Sequence, residues 1–171
     1  MVDNTGATGT TVEVGTKWLD PEEQRTWRAL VVANTLLMHH LDEQLRREYG
    51  VSLTEYEILV RLSEREHHEM RMAQIADSLC LSRSRITHTV ARMEQGGLVR
   101  RQPATEDGRG VVASMTESGQ ELLDRAAPSH VTSVREHLVD LADPADLAAV
   151  GRVMDAVADD LLPEHPEAEI R

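Results

Sequence analysis

Apolar residues along this chain recur mostly at helical spacing. Trp27, Leu30, Val31, Leu37, Met38, Leu41 and Leu45 step by threes and fours, with Asn34 the one polar interruption, until Gly50 ends the run. Asp20-Pro21-Glu22-Glu23 supplies the start: Asp20 can cap, Pro21 suits the first helical position, and Glu23 sits where a capping box needs it. A second helix is predicted in LTEYEILVRLSER from Thr54, three residues before Glu57, with Ile58, Leu59 and Leu62 inward. The polar EREHHE breaks it. MAQIADSL predicts a third helix of about two turns, with Met72, Ile75, Ala76 and Leu79 inward. A fourth follows Leu81, capped by Ser82, and runs to Gln95, where Gly96-Gly97 stops it.

The period then changes. Leu98 to Arg101 and Val111 to Met115 read as two short strands joined by QPATEDGRG, whose Pro103, Asp107, Gly108 and Gly110 make a turn-rich tip. Thr116-Glu117-Ser118-Gly119 opens a further helix through about Leu141, in which Pro128 requires a break or kink. Asp143-Pro144 starts a last helix that Pro163 ends. Helix, tight turn, helix and hairpin is the order of a winged helix-turn-helix. The fold class is therefore mainly α with a small β-hairpin wing. The expected organisation is a flexible tail (1–19), an N-terminal dimerisation helix (20–50), a DNA-binding lobe (51–116, wing 98–115), C-terminal dimerisation helices (117–163) and a short tail (164–171).

Composition narrows this picture. At 171 residues the chain suits one core, or one lobe plus a dimerisation arm. Two Trp, two Tyr and no Phe leave Leu, Val, Ile, Ala and Met to build that core. A single cysteine, Cys80, excludes an intramolecular disulfide, and no stretch approaches the roughly 18 apolar residues of a membrane span. MVDNTGATGTTVEVGT has neither a basic region nor a hydrophobic run, so no leader is predicted and the protein is expected to be soluble and cytoplasmic.

Charge is unevenly distributed. Residues 71–116 hold seven arginines against four acids, about +3, while the other residues hold eleven Lys and Arg against twenty-six acids, about −15. On the fourth helix Ile86, Val90 and Met93, with Thr89 beside them, form an inward stripe. Ser84, Arg85, Thr87, His88 and Arg92 are left outside or flanking it, with Ser82 and Arg83 at the helix start. Arg and His can donate to guanine edges, Ser and Thr hydroxyls can bond bases or phosphates, and the threonine methyl can touch thymine. Arg71 and Arg101 extend the basic segment on either side. Arg109, on the projecting tip, suits the narrow minor groove, and Asp107 two residues earlier can hold its guanidinium. Arg71, Ser82, Arg83, Ser84, Arg85, Thr87, His88, Arg92, Arg101, Asp107 and Arg109 form the predicted DNA-contact set.

The run LSRSRITHTVARMEQGGLVRRQPATEDGRGVVASMTESG resembles the winged-helix signature of the multiple antibiotic resistance regulator (MarR) family. The resemblance covers roughly residues 20 to 162. It implies that the helix beginning at Ser82 reads the major groove and that the arginine of an Asp-x-Arg wing, here Asp107-Gly108-Arg109, reads the minor groove. Where the family pattern has Leu-Thr and a glycine three residues later, this chain has Met115-Thr116 and Gly119. The resemblance further implies an obligate homodimer on an inverted-repeat operator. It also implies a transcriptional regulator, usually a repressor, released by a small ligand or oxidant. Independently, Leu147, Val150, Val153, Met154, Val157, Leu161 and Leu162 carry more apolar surface than a small winged lobe can cover.

In this family small anions or phenolic compounds enter a cleft between the dimerisation helices and the winged lobe. Trp18, Trp27, Arg28, His39 and Tyr56 are candidates to line it, since aromatics and arginines bind a flat anion. Other effectors are weaker fits. Cys80, between Leu79 and Leu81, reads as a small buried hydrophobe rather than a redox sensor. The pairs His39-His40 and His67-His68 have carboxylates nearby, which would suit a metal-responsive regulator. Adjacent histidines on a helix point about 100° apart, however, so neither pair is a chelate and no metal site is predicted. No phosphate-binding glycine loop, Gly-x-Ser-x-Gly elbow or His-Glu-x-x-His appears, so no enzyme, catalytic residue or cofactor is expected. The remaining alternative is a winged interaction module that does not bind DNA, for which six arginines gathered on one segment have no use.

Overall fold

A computed structural model describes residues 15–104 and 110–161. The chain divides into two compact units between Thr35 and Leu36, inside its long first helix. That helix, α1, spans Pro21–Tyr49. Its start follows the predicted capping box: Glu22 and Glu23 N–H donate to Asp20 Oδ1, and Asp20 N–H donates to Glu23 Oε2. In the first unit Trp18, Trp27, Leu30, Val31 and Val32 are all exposed.

The second unit contains α2 (Leu53–Ser63), β1 (Glu69–Arg71), α3 (Met72–Ser78), α4 (Arg83–Gln95), β2 (Val99–Pro103), β3 (Val111–Met115), α5 (Glu117–His137) and α6 (Pro144–Leu161). Its core joins Leu45 of α1 to Ile58, Leu59 and Leu62 of α2, Ile75 and Ala76 of α3, Ile86, Val90 and Met93 of α4, and Leu122, Leu123 and Ala126 of α5. These are the inward stripes of the sequence brought to one centre, where burial of each large aliphatic side chain stabilises the fold by roughly 1.5–3 kcal/mol.

Four local expectations are corrected. Helix α2 is capped by Ser52, not Thr54: Glu55 N–H donates to Ser52 Oγ and Ser52 N–H donates to Glu55 Oε2. Ser52 and Glu55 have the same S-x-x-E spacing as Thr54 and Glu57, one turn fragment earlier, and Ser52 is the residue with extended backbone. The polar run after α2 does more than end it, because Glu69–Arg71 pairs antiparallel with Ser114, Ala113 and Val112 and makes the hairpin a three-stranded sheet of order β1-β3-β2. Only three residues long, β1 is too short for a period of two to register. Helix α5 runs unbroken through Pro128 to His137, which corrects the break, though not the kink, expected there. Proline there removes one N–H, and the carbonyl it would have used, on Asp124, lies at an exposed position where water can serve it. Cys80 is exposed, not buried: it occupies the left-handed position (φ 51°) that ends α3, with Leu81 N–H donating back to Ala76 O as in a Schellman turn.

The wing is seated on α5. Thr116 caps that helix, its N–H donates to Leu98 O, and its hydroxyl donates to Gly97 O. Gly119 makes this approach possible, since a Cβ there would lie 2.2 Å from Leu98 O. Helix α6 buries none of its side chains; Val150, Val153, Met154, Val157 and Leu161 are exposed. No helix among the described residues is long and apolar enough to cross a membrane.

Candidate nucleic-acid interface

Helix α4 is fixed from beneath and open above. Ile86, Val90 and Met93 are essentially inaccessible and Thr89 nearly so. Ser82 holds the first turn by accepting from Arg85 N–H at 3.3 Å, so its hydroxyl is committed to the cap. Arg83, Ser84, Arg85, Thr87, His88 and Arg92 are exposed. The Thr87 hydroxyl donates to Arg83 O at 2.8 Å, which turns its methyl and oxygen lone pairs outward in one orientation.

A rotation of about 100° per residue sorts this surface into three stripes. Ser84 and His88 lie opposite the buried stripe. Arg83 and Thr87 lie on one flank, and Arg85 and Arg92 on the other. Each flank borders a groove. The first, about 360 Å³, runs between α4 and the wing and is lined by Arg71, Met72, Ala73, Arg83, Thr87, Arg101, Gly110 and Val111. The second, about 520 Å³, lies between α4 and the α1–α2 junction and is lined by Asp42, Arg46, Ser52, Thr54, Arg85, His88, Thr89 and Arg92.

The arginines differ in what they can offer. Arg101 donates from Nε and Nη2 to Glu94, at 2.9 and 2.7 Å, and its N–H donates to the same carboxylate. Those bonds hold the Glu94 carboxyl below the usual glutamate range and leave the Arg101 side chain only 31% exposed. Arg101 therefore braces β2 against α4. Arg92 donates only Nε, to Glu55 at 2.8 Å, and its side chain stays 61% exposed. Burial raises the Glu55 carboxyl, but bonds from Ser52 and Arg92 outweigh it and hold the group below the ordinary range. Glu57, half-buried, is pushed up by burial, against the pull of Arg61 and Arg85. Arg71 lines the wing groove and its N–H donates to Gln74 Oε1 at 3.2 Å.

Of the predicted DNA-contact set, Arg71, Arg83, Thr87 and Arg101 meet at the wing groove, and Arg85, His88 and Arg92 at the opposite one. Ser84 lies between them. Asp107 and Arg109 lie outside the described residues. The predicted ligand-lining residues are divided between the two units. Trp18 is 81% and Trp27 57% exposed, and Arg28 donates to Gln24 on its own helix. In the second unit His39 is exposed beside Glu43, whereas Tyr56 is buried with its ring against His130. Among the described residues no group of three or more His, Cys, Asp or Glu is arranged to hold a metal ion.

Sequence reading missed Asp42, Arg46, Glu55, Glu94 and His130. Glu55 had a local signal, the Ser52-x-x-Glu55 spacing, and Asp42 with Arg46 had another, the i, i+4 spacing on α1. Glu94 and His130 acquire their roles from contacts formed between elements.

The chain is similar to known proteins in sequence and fold. The MarR family model matches residues 51–111. The crystal structure of AbsC, a MarR family transcriptional regulator from Streptomyces coelicolor, is 42% identical with a TM-score of 0.81, over 85% of this chain and 98% of AbsC. A second MarR family regulator of that organism, crystallised in complex with DNA, is also 42% identical, with a TM-score of 0.81 over 84% of this chain and 94% of its own. PecS, a transcriptional regulator of Dickeya dadantii, is 30% identical over 105 residues, 61% of this chain; the chain spans 63% of the length of PecS.

Proposed function

Since the chain belongs to the MarR family, we propose that it is a transcriptional regulator, a repressor in the usual mode, that binds an inverted-repeat operator as a homodimer and is released by a small organic ligand. The observation that carries the DNA-binding reading is the three-stripe surface of α4: a polar Ser84/His88 face between two arginine-bearing flanks, on a helix whose other side is buried. A solvated surface helix would have no reason to place an arginine-lined groove on each side.

Ser84, Thr87 and His88 are assigned to base edges, with Arg83 and Arg85 at the first turn reaching bases or phosphates. Arg109 of the wing, beside Asp107, is assigned to the minor groove on the sequence reading. The exposed apolar side of α6, Val150, Val153, Met154 and Val157, supports dimerisation, because a stripe of that size facing water calls for a partner surface. Twofold symmetry sets the two recognition helices about 34 Å apart, one turn of DNA.

The ligand reading keeps Trp18, Trp27, Arg28, His39 and Tyr56 as its candidate residues. Trp18, Trp27, Arg28 and His39 are surface groups in the described chain, and Tyr56 with His130 forms the buried aromatic pair. The test is enrichment of random duplexes on the purified protein. Recovery of an inverted repeat with half-sites one turn apart supports the regulator; recovery of no sequence refutes it.

A further inference from the structure

Arg46 of α1 and Arg92 of α4 face the same groove from opposite walls, and each is held by a carboxylate. Arg46 donates Nε to Asp42 Oδ2 at 2.6 Å and Nη2 to Asp42 Oδ1 at 3.4 Å, which leaves Nη1 open, and Asp42 is itself fixed by accepting Leu53 N–H at 2.8 Å. Arg92 donates Nε to Glu55 at 2.8 Å, and Glu55 is fixed by Ser52. A carboxylate behind the Nε edge restricts the rotamers of a guanidinium while leaving terminal N–H groups for another acceptor. Both side chains remain well exposed, at 57% and 61%. Arg85, Thr54, Ser52, His88, Thr89 and Asp42 itself complete the lining. Three guanidiniums thus share the groove with one carboxylate, Asp42, while Glu55 pairs with Arg92 from outside the lining.

The position of this groove identifies its occupant. An α-helix about 10–12 Å across fills a major groove about 12 Å wide, so its two flanks meet the phosphate rows of the two strands. The wing groove flanks α4 on the Arg83 side and the Arg46 groove on the Arg85/Arg92 side. We propose that the groove of Arg46, Arg85, Arg92 and Thr54 seats a backbone phosphate of the strand opposite the wing, which makes Arg46, on the helix otherwise assigned to dimerisation, a DNA-contact residue. The proposal rests on the DNA-binding reading above. Arg101 marks a contrast in exposure: its side chain, paired with Glu94 through Nε and Nη2, is 31% exposed, against 57% for Arg46 and 61% for Arg92.

The experiment uses the full chain and a set of enriched duplexes, each with one uncharged methylphosphonate at a different backbone position. Wild type should lose affinity at one or more positions flanking the major groove on the strand away from the wing. Arg46→Ala should bind the unmodified duplex at least roughly fivefold to tenfold more weakly, lose about 1.8 from the slope of log affinity against log salt, about 0.9 for each protomer, and become insensitive to one of those methylphosphonates in each half-site. Arg46→Lys, which keeps the charge, should retain the slope. A purely structural role would lower the melting temperature of Arg46→Ala and leave its salt slope and methylphosphonate pattern as in wild type; that result overturns the proposal. Failure of wild type to bind any duplex would instead refute the DNA-binding reading and the proposal together.

Discussion

Glu55 of α2 holds Arg92 of the recognition helix at 2.8 Å with one carboxylate oxygen, while the other accepts the backbone N–H and the hydroxyl of Ser52, each at 2.7 Å. One buried side chain thereby caps α2 and ties it to α4, the helix proposed to read DNA. Glu55→Gln should destabilise the protein by about 1–3 kcal/mol, the cost of weakening charge-assisted bonds at a buried site. The urea midpoint should fall with an unchanged slope. Because the folded carboxyl lies below its ordinary value, its stabilisation is present above about pH 4.5 and is lost as pH falls through the folded value. The variant should therefore show a flatter acid limb. An unchanged midpoint and acid limb would contradict this role.

Gly119 should not tolerate even one added carbon. A Cβ would meet Leu98 O at 2.2 Å and the Met115 side chain at 3.0 Å, and the first of these is backbone that only a shift of the wing base can relieve. Gly119→Ala should cost about 1–3 kcal/mol by overpacking, despite the better helix propensity of alanine. Thermal unfolding measures it; a stabilised variant would show that the wing base gives way freely.

Acid should weaken the fold through His130. Burial against Tyr56 pushes its imidazole below the ordinary histidine value, so near neutrality the folded form resists a proton that the unfolded chain accepts. Stability from this source is complete above about pH 6.5 and declines as pH falls from there towards the folded value. Unfolding midpoints between pH 8 and pH 5.5 should fall in wild type and fall less in His130→Gln. Parallel curves for the two proteins would exclude His130 as the cause.

Arg109→Ala should weaken operator binding by about 1–3 kcal/mol while the circular dichroism spectrum and melting temperature stay as in wild type. The expectation comes from the Asp107-Gly108-Arg109 pattern at the tip of the wing. Equal affinities would remove the wing from recognition.

Much of the scaffold was legible because it is written in local periodicity. The Ile86/Val90/Met93 stripe, the Ser82 cap and the Asp20-Glu23 box all act within one helix, and all appear where the pattern placed them. What depends on neighbours distant in sequence was not legible. No feature around Glu94 announces that it will take the guanidinium of Arg101, and Arg46 reaches the groove beside Arg85 and Arg92 only because the α1–α2 junction lies against α4. Cys80 was misplaced for a related reason: flanking leucines suggested burial, whereas the left-handed turn that ends α3 rotates its side chain outward.

The central claim is that residues 71–116 read DNA inside an otherwise acidic protein, and the salt dependence of binding tests it most directly. Affinity for an enriched inverted-repeat duplex and for a random duplex of equal length should be measured between about 50 and 200 mM salt. With several arginine–phosphate contacts on each protomer, log affinity should fall steeply and linearly with log salt for the repeat, about 0.9 per phosphate neutralised, with random DNA bound far more weakly at every concentration. A flat salt response, or equal affinity for the two duplexes, would contradict the account.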